Sequence, residues 1–111
     1  MKKLKTYREL QFENALVRVW KTIVAPGEPL EFHRHDAGRV IVGLKGGKLK
    51  RIETNGSQSD LNFDTHKAYW LEADGPHGMH GDINESDESI EIMVVEMKLP
   101  TSSPLPSIPL E

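Results

Sequence analysis

Apolar and polar residues alternate over short stretches along most of the chain, and residues that favour turns separate these stretches. A two-residue repeat rich in Val, Ile, Tyr, Phe and Trp is typical of β-strands, and no window of about a dozen residues keeps helical apolar spacing. Many short strands with regular turns indicate an all-β sandwich or barrel. The predicted strands are Tyr7–Phe12, Leu16–Val24, Leu30–His35, Arg39–Leu44, Lys48–Glu53, Asp60–Phe63, Ala68–Leu71, Gly78–Ile83 and Ile90–Lys98.

The predicted strands end at residues with clear turn chemistry. Pro26-Gly27 combines a fixed φ with a residue that is free to adopt positive φ, and Glu13-Asn14 and Asp74-Gly75-Pro76 supply further turns. Gly46-Gly47 and Asn55-Gly56 fit tight hairpin turns. We therefore expect the two strands that flank each of these dipeptides to pair with each other in antiparallel orientation.

Two predicted strands carry apolar residues on both faces, namely Val40-Ile41-Val42 and the stretch 90–97. In a small protein an apolar outer face needs a cover. We predict that a second subunit covers it and that the protein is a homodimer. The alternative is a cover made by a loop or by the C-terminal tail.

Residues 100–111 hold four of the seven prolines. Proline at this density cannot continue a ladder, so we expect an extended or disordered tail. A chain of 111 residues has room for one modest core. We predict a single β-barrel domain at 1–99, followed by the tail at 100–111.

Charge and composition exclude several classes of function. Fourteen Lys and Arg against seventeen Asp and Glu give a net charge of −3 without a basic stripe, so we expect no nucleic-acid partner. The absence of cysteine excludes disulfides, thiolate ligands and a cysteine nucleophile. The first residues lack the apolar segment of a signal peptide, and no apolar run approaches the ~20 residues of a membrane helix. We expect a cytoplasmic protein without a membrane partner.

All five histidines lie between His33 and His80. His33 and His35 are two residues apart on a predicted strand, so we expect both side chains on one face, with Cα atoms about 6.6 Å apart. Two imidazoles placed this way can bind one metal ion, although solvated strands carry the same spacing. We interpret His66 as a loop residue without a role at such a site.

The spacing around these two histidines resembles the first motif of the cupin family, Gly-x5-His-x-His-x3-Glu-x6-Gly. This chain has Gly27, His33, His35, Arg39 and Gly46 at the same spacings. The one difference is Arg39, which stands where the family has a glutamate ligand.

Residues 76–84 resemble the second cupin motif, Gly-x5-Pro-x-Gly-x2-His-x3-Asn. Pro76, Gly78, His80 and Asn84 occur in this order, with one residue fewer before His80 and no glycine six residues before Pro76. A rival alignment places His77 at the ligand position but loses the asparagine. His80 is therefore the preferred third ligand, and His77 is its alternative.

The resemblance implies an antiparallel jelly-roll barrel of the double-stranded β-helix type. It also implies that a divalent transition metal (Fe, Mn, Ni or Zn) binds His33, His35 and His80. Such a metal would leave positions open for a small anionic metabolite, as in a metal-dependent dioxygenase or isomerase. No Gly-x-Ser-x-Gly nucleophile motif and no glycine-rich phosphate loop is present.

Arg39 leaves three alternatives open, because its guanidinium would repel a metal dication in the same site. An anionic ligand could bridge the metal and Arg39. Arg39 could turn away to pair with Glu31, Asp36 or a partner subunit. Alternatively, the metal could be lost, and the pocket would then serve a ligand-binding or sensing module in which Arg39 binds a carboxylate. Glu31 shares strand parity with both histidines and is a candidate ligand-binding residue or general base.

Overall fold

The structure, a computed structural model, describes residues 5–33, 37–73 and 79–98, with the backbone alone at 31–33. Within these residues the chain forms nine β-strands and no helix, so none of them forms a helix that could cross a membrane. The strands are β1 Tyr7–Glu13, β2 Val17–Val24, β3 Leu30–His33, β4 Arg39–Lys45, β5 Gly47–Glu53, β6 Gln58–Phe63, β7 Ala68–Leu71, β8 His80–Ile83 and β9 Ile90–Met97.

The strands form two antiparallel sheets. The first sheet has the order β1-β2-β9-β4-β7, and the second has the order β3-β8-β5-β6. The longest register joins β2 to β9, from the pair Val17 and Met97 to the pair Val24 and Ile90. Strands that are adjacent in a sheet are often distant in sequence, which is typical of a jelly roll rather than a simple meander. The predicted all-β antiparallel class is confirmed.

The core lies between the inward faces of the two sheets. Over the first five residues of both β4 and β9, every second residue is buried, as expected for strands with one face toward a core. The core cluster consists of Val24, Ile41, Leu49, Phe63, Ile90, Ile92 and Val94. Trp20, Leu61, Tyr69 and Leu71 are partly buried against it.

The observed strand bounds agree with the predicted ones to within about two residues wherever the structure describes both ends. The hairpin prediction at Asn55-Gly56 is confirmed, since β5 and β6 pair from Ile52 and Gln58 onward. Gly56 has a φ of 89°, the left-handed conformation that such a turn requires. The turn predicted at residues 74–76 lies outside the described residues.

The hairpin prediction at Gly46-Gly47 is wrong. β4 belongs to the first sheet and β5 to the second, so the chain passes here from one sheet to the other. Glycine is needed at position 46 because an added Cβ would lie 2.1 Å from the Phe63 carbonyl oxygen. Gly46 therefore permits close backbone contact, and the dipeptide does not form a tight hairpin turn. The predicted tail at 100–111 lies outside the described residues, and the division at 99 stays a prediction.

Candidate functional site

A small cavity of about 40 Å³ lies between the two sheets. This volume can hold a few water molecules or a chemical group of similar size. Seven of its ten lining residues are apolar and three are polar. The polar residues are Arg39, His80 and Asp82; the apolar ones are Ile41, Leu49, Leu61, Phe63, Leu71, Ile92 and Val94.

His80 and Asp82 reach the cavity from β8. They are two residues apart on one strand, so both side chains lie on its inward face. His80 is 2% exposed and Asp82 is 7% exposed, and 4.0 Å separates His80 Nε2 from Asp82 Oδ2. The imidazole and the carboxylate thus share one water-poor side of the cavity.

Arg39 reaches the same cavity from the first residue of β4. Its side chain is 3% exposed, and its Nη1 donates a hydrogen bond to the Glu72 carbonyl oxygen at 3.2 Å. A guanidinium stays charged in proteins, and a buried charge is costly unless partner groups compensate it. This arginine therefore places a permanent positive charge at the edge of an otherwise largely apolar cavity.

The backbone of His33 lies directly opposite His80 in the pairing of β3 with β8. This register brings two of the three predicted metal ligands to neighbouring positions of the second sheet. The side chains of Glu31 and His33, and all of His35 and His77, lie outside the described residues. Among the side chains that are described, no group of three or more His, Asp or Glu is placed to hold a metal ion.

Glu96, a further carboxylate near the site, lies next to Arg39 across the pairing of β4 with β9. Its Oε1 accepts a hydrogen bond from Trp20 Nε1 at 2.6 Å and lies 3.6 Å from Arg8 Nη2. The Arg8 guanidinium also stacks over Trp20, with its Cζ atom 4.3 Å from the ring centroid. Burial lowers the pKa of Arg8, and the nearby Glu96 carboxylate opposes that shift. These contacts assign Glu96 to a charged cluster between β1, β2 and β9.

Asn84, the last residue of the second motif, has a structural position. It is completely buried, and its Nδ2 donates to the carbonyl oxygens of Val24 at 2.9 Å and Glu88 at 2.7 Å. Its Oδ1 accepts from the backbone N of Ser86 at 3.0 Å. The asparagine thus joins the loop between β8 and β9 to the end of β2.

His66 lies away from the cavity. It is exposed, has a φ of 66°, and its backbone N donates to the Gly43 carbonyl oxygen at 2.8 Å. The left-handed backbone conformation marks it as a turn residue just before β7.

Sequence reasoning missed Asp82 as a cavity residue. The sequence contained the information needed to predict it: Asp82 lies two residues after His80 on one strand, so both side chains are expected on the same face, as for His33 and His35. The apolar lining carried no comparable signal, since Leu49 and Phe63 on two strands meet Ile92 on a distant third strand only in the fold.

Known structures share this architecture. A cupin domain from Bordetella pertussis Tohama I is 24% identical, with a TM-score of 0.75 over 89% of this chain and 99% of that one. A cupin-family protein with a double-stranded β-helix fold from Methanocaldococcus jannaschii is 12% identical, with a TM-score of 0.66 over 88% and 84%. A double-stranded β-helix protein from Klebsiella pneumoniae is 17% identical, with a TM-score of 0.64 over 93% and 84%.

No family model matches this sequence, and no curated protein matches it. The structural likeness therefore establishes the fold. The chain has the cupin fold, a double-stranded β-helix, and the expectation drawn from its two sequence motifs is confirmed at that level.

Proposed function

We propose that this cupin-fold protein binds a small anionic metabolite in the cavity between its sheets, with Arg39 as the carboxylate-binding residue. One observation carries the proposal: the Arg39 side chain is 3% exposed and lines the same cavity as His80. The guanidinium has five N–H donors in a planar fork that matches a carboxylate. Its hydrogen bond to the Glu72 carbonyl oxygen holds the fork in place from the side of the first sheet.

The other residues that line the cavity favour a small ligand that is partly apolar. Ile41, Leu71 and Val94 surround the arginine side of the cavity with hydrocarbon, so ligand binding there removes apolar surface from water. A low local dielectric also strengthens the attraction between the guanidinium and an anion. His80 and Asp82 add a donor and an acceptor that can orient a second polar group of the ligand.

The test measures the melting temperature of the full chain with a panel of small carboxylates and with inorganic phosphate. We expect at least one carboxylate to raise the melting temperature of the wild type. Arg39→Gln removes a charge-assisted hydrogen bond, which is worth about 1.5–3 kcal/mol and corresponds to roughly 10- to 150-fold weaker binding.

Arg18→Gln is the matched control. Arg18 faces Glu96 across the sheet from Arg39, but its side chain is 45% exposed and pairs with Glu13 at the surface. We expect this variant to bind the carboxylate as the wild type does. Equal stabilisation of wild type and Arg39→Gln by every carboxylate in the panel would contradict the proposal.

A second candidate function is metal-dependent chemistry, and the register of His33 opposite His80 favours it. Neutral imidazoles suit Fe, Ni and Zn, and open coordination positions would admit the oxygen ligands that Mn prefers. We propose His33, His35 and His80 as the ligands, with His77 as the alternative to His80. A metal bound there would act as a Lewis acid toward the anionic metabolite, and Arg39 would hold the far side of that anion. Under this candidate the protein would be a dioxygenase or an isomerase.

Elemental analysis of untagged protein tests the metal candidate. We expect close to one metal ion per chain in the wild type and a large loss in His80→Ala. His66→Ala is the control, because His66 is exposed on a turn outside the cavity and should leave the metal content unchanged. Substoichiometric metal in all three proteins, even after incubation with Mn²⁺, Ni²⁺ or Zn²⁺, would contradict it.

A further inference from the structure

The cavity between the two sheets is closed on most sides by buried side chains. Eight of its ten lining residues are 7% exposed or less, and the other two, Leu61 and Leu71, are half-buried. Leu61 lies on β6, an edge strand of the second sheet, and Leu71 lies on β7, an edge strand of the first. Within the described lining, solvent therefore contacts the cavity wall mainly at these two leucines.

An aromatic contact holds β6 and β7 together near the turn that connects them. The rings of Phe63 and Tyr69 meet edge to face, with centroids 5.4 Å apart and planes at 74°. The Tyr69 hydroxyl also accepts a hydrogen bond from the Asp64 backbone N at 2.8 Å. Leu61 and Leu71 lie two residues further from the turn on the same faces of these strands, a distance of about 6.6 Å along each strand. The aromatic contact thus closes the cleft between β6 and β7 at the turn, and the two leucines lie beyond it.

Each leucine is held beside the cavity by its neighbour in the sheet. Leu71 lies directly opposite Arg39 in the pairing of β7 with β4, and Leu61 lies opposite Leu49 in the pairing of β6 with β5. Directly opposed residues of antiparallel strands have Cβ atoms about 4.5–5.5 Å apart. The Leu71 side chain therefore takes up space next to Arg39, where the carbon chain of a bound carboxylate would have to lie.

We propose that Leu61 and Leu71 restrict the ligand to a carboxylate of two or three carbon atoms. This inference rests on the proposed function, since it takes Arg39 as the carboxylate-binding residue. The cavity volume of about 40 Å³ corresponds to roughly three or four water-sized groups, at about 10–15 Å³ for each. A carboxylate group with one or two further carbon atoms fills this space. A longer carbon chain has to displace the two leucine side chains.

The packing of the cavity sets the size of this discrimination. Each further methylene that fits into apolar surroundings strengthens binding about fourfold. A methylene forced into space that is already filled weakens binding instead, by roughly 5- to 150-fold. The affinity for straight-chain carboxylates should therefore rise from formate to acetate or propionate and fall beyond propionate.

The test compares formate, acetate, propionate, butyrate and pentanoate as ligands of the full chain. Their dissociation constants follow from the concentration dependence of the melting temperature. We expect the wild type to bind acetate or propionate most tightly, and butyrate and pentanoate at least about fivefold more weakly than propionate. Leu71→Ala removes three carbon atoms beside Arg39. We expect this variant to bind pentanoate at least about tenfold more tightly than the wild type does.

Leu44→Ala is the matched control. Leu44 is a half-buried leucine on the same strand as Arg39, but it does not line the cavity. This variant should keep the length preference of the wild type. Leu61→Ala should shift the preference toward longer chains, as Leu71→Ala does, and keeps the test decisive if Leu71→Ala does not fold.

The outcomes separate this inference from the proposed function. A wild-type affinity that rises steadily up to pentanoate would overturn the size restriction and leave carboxylate binding by Arg39 intact. An unchanged length preference in folded Leu61→Ala or Leu71→Ala would do the same. Arg39→Gln should instead weaken the binding of every member of the series by a similar factor. Failure of the wild type and of both leucine variants to bind any carboxylate would overturn the proposed function and this inference together.

Discussion

Arg39 on β4 and His80 on β8 belong to different sheets, yet they line one cavity. Both are almost fully buried, at 3% and 2% exposure. Position 39 is where the cupin motif has its glutamate ligand, so a cation occupies a place that the motif gives to an anion. Under the proposed function, the charge at this position decides whether the cavity favours an anion or a metal cation.

Arg39→Glu should convert the cavity toward metal binding. The substitution replaces a cation that repels a dication with a carboxylate oxygen that can bind it beside His80. We expect at least about tenfold tighter binding of Mn²⁺ or Ni²⁺ than in the wild type, measured by titration calorimetry. Arg39→Gln separates the two effects, because it removes the repulsion without supplying a carboxylate. Equal affinities of the Glu and Gln variants would mean that position 39 does not face the metal.

Asn84→Ala should destabilise the fold strongly while leaving the cavity lining intact. The buried side chain satisfies the carbonyl oxygens of Val24 and Glu88 and the backbone N of Ser86, and its loss leaves these groups without their partner. We expect the free energy of unfolding to fall by about 2–4 kcal/mol in urea denaturation.

Asn55→Ala is the control for this prediction. Asn55 also accepts a hydrogen bond from a backbone N two residues later, that of Ser57 at 2.9 Å, but on an exposed hairpin. It should cost less than about 1 kcal/mol, since water replaces the lost contact. Similar losses in both variants would show that Asn84 does not join the β8–β9 loop to β2.

Local pattern predicted the strands because each strand alternates core and outward residues over its own length. The pattern failed at Gly46-Gly47, because two adjacent glycines also fit a hairpin turn. Glycine is needed at position 46 because the carbonyl oxygen of Phe63, a residue far away in sequence, leaves no space for a Cβ atom. The motifs predicted a role for His80 and for position 39, and both residues line the cavity; their role as ligand-binding or metal-binding residues stays a prediction. The motifs could not predict that the Arg39 side chain is buried, because its burial depends on how the two sheets close around the cavity.

Gly46→Ala tests the close approach between the two sheets. Its added Cβ would lie 2.1 Å from the Phe63 carbonyl oxygen and 2.6 Å from the Thr65 backbone N, so backbone must move. We expect a loss of about 2 kcal/mol or more in the free energy of unfolding. Gly47→Ala is the adjacent control, because its Cβ would meet only side-chain atoms of Ile90, at 2.8 Å, and no backbone atom would have to move. A loss at position 46 no greater than that at position 47 would contradict this account.

Glu13 should give the protein a small stability increment that depends on pH. Its Oε2 accepts from Lys98 Nζ at 2.6 Å and from Arg18 Nη2 at 3.1 Å, and these two bonds lower the pKa of the Glu13 carboxyl below its ordinary value of 4.5. Because the pKa is lower in the folded state, the increment is fully present above the unfolded pKa. It is lost as the pH falls through the folded pKa, where the carboxyl takes up a proton in both states.

Glu13→Gln should therefore be slightly less stable than the wild type at pH 7 and equally stable at about pH 2, measured by thermal unfolding across this range. Lys98→Gln should reproduce most of the loss at pH 7, and a Glu13→Gln deficit that persists unchanged at pH 2 would show that the carboxylate charge is not its cause.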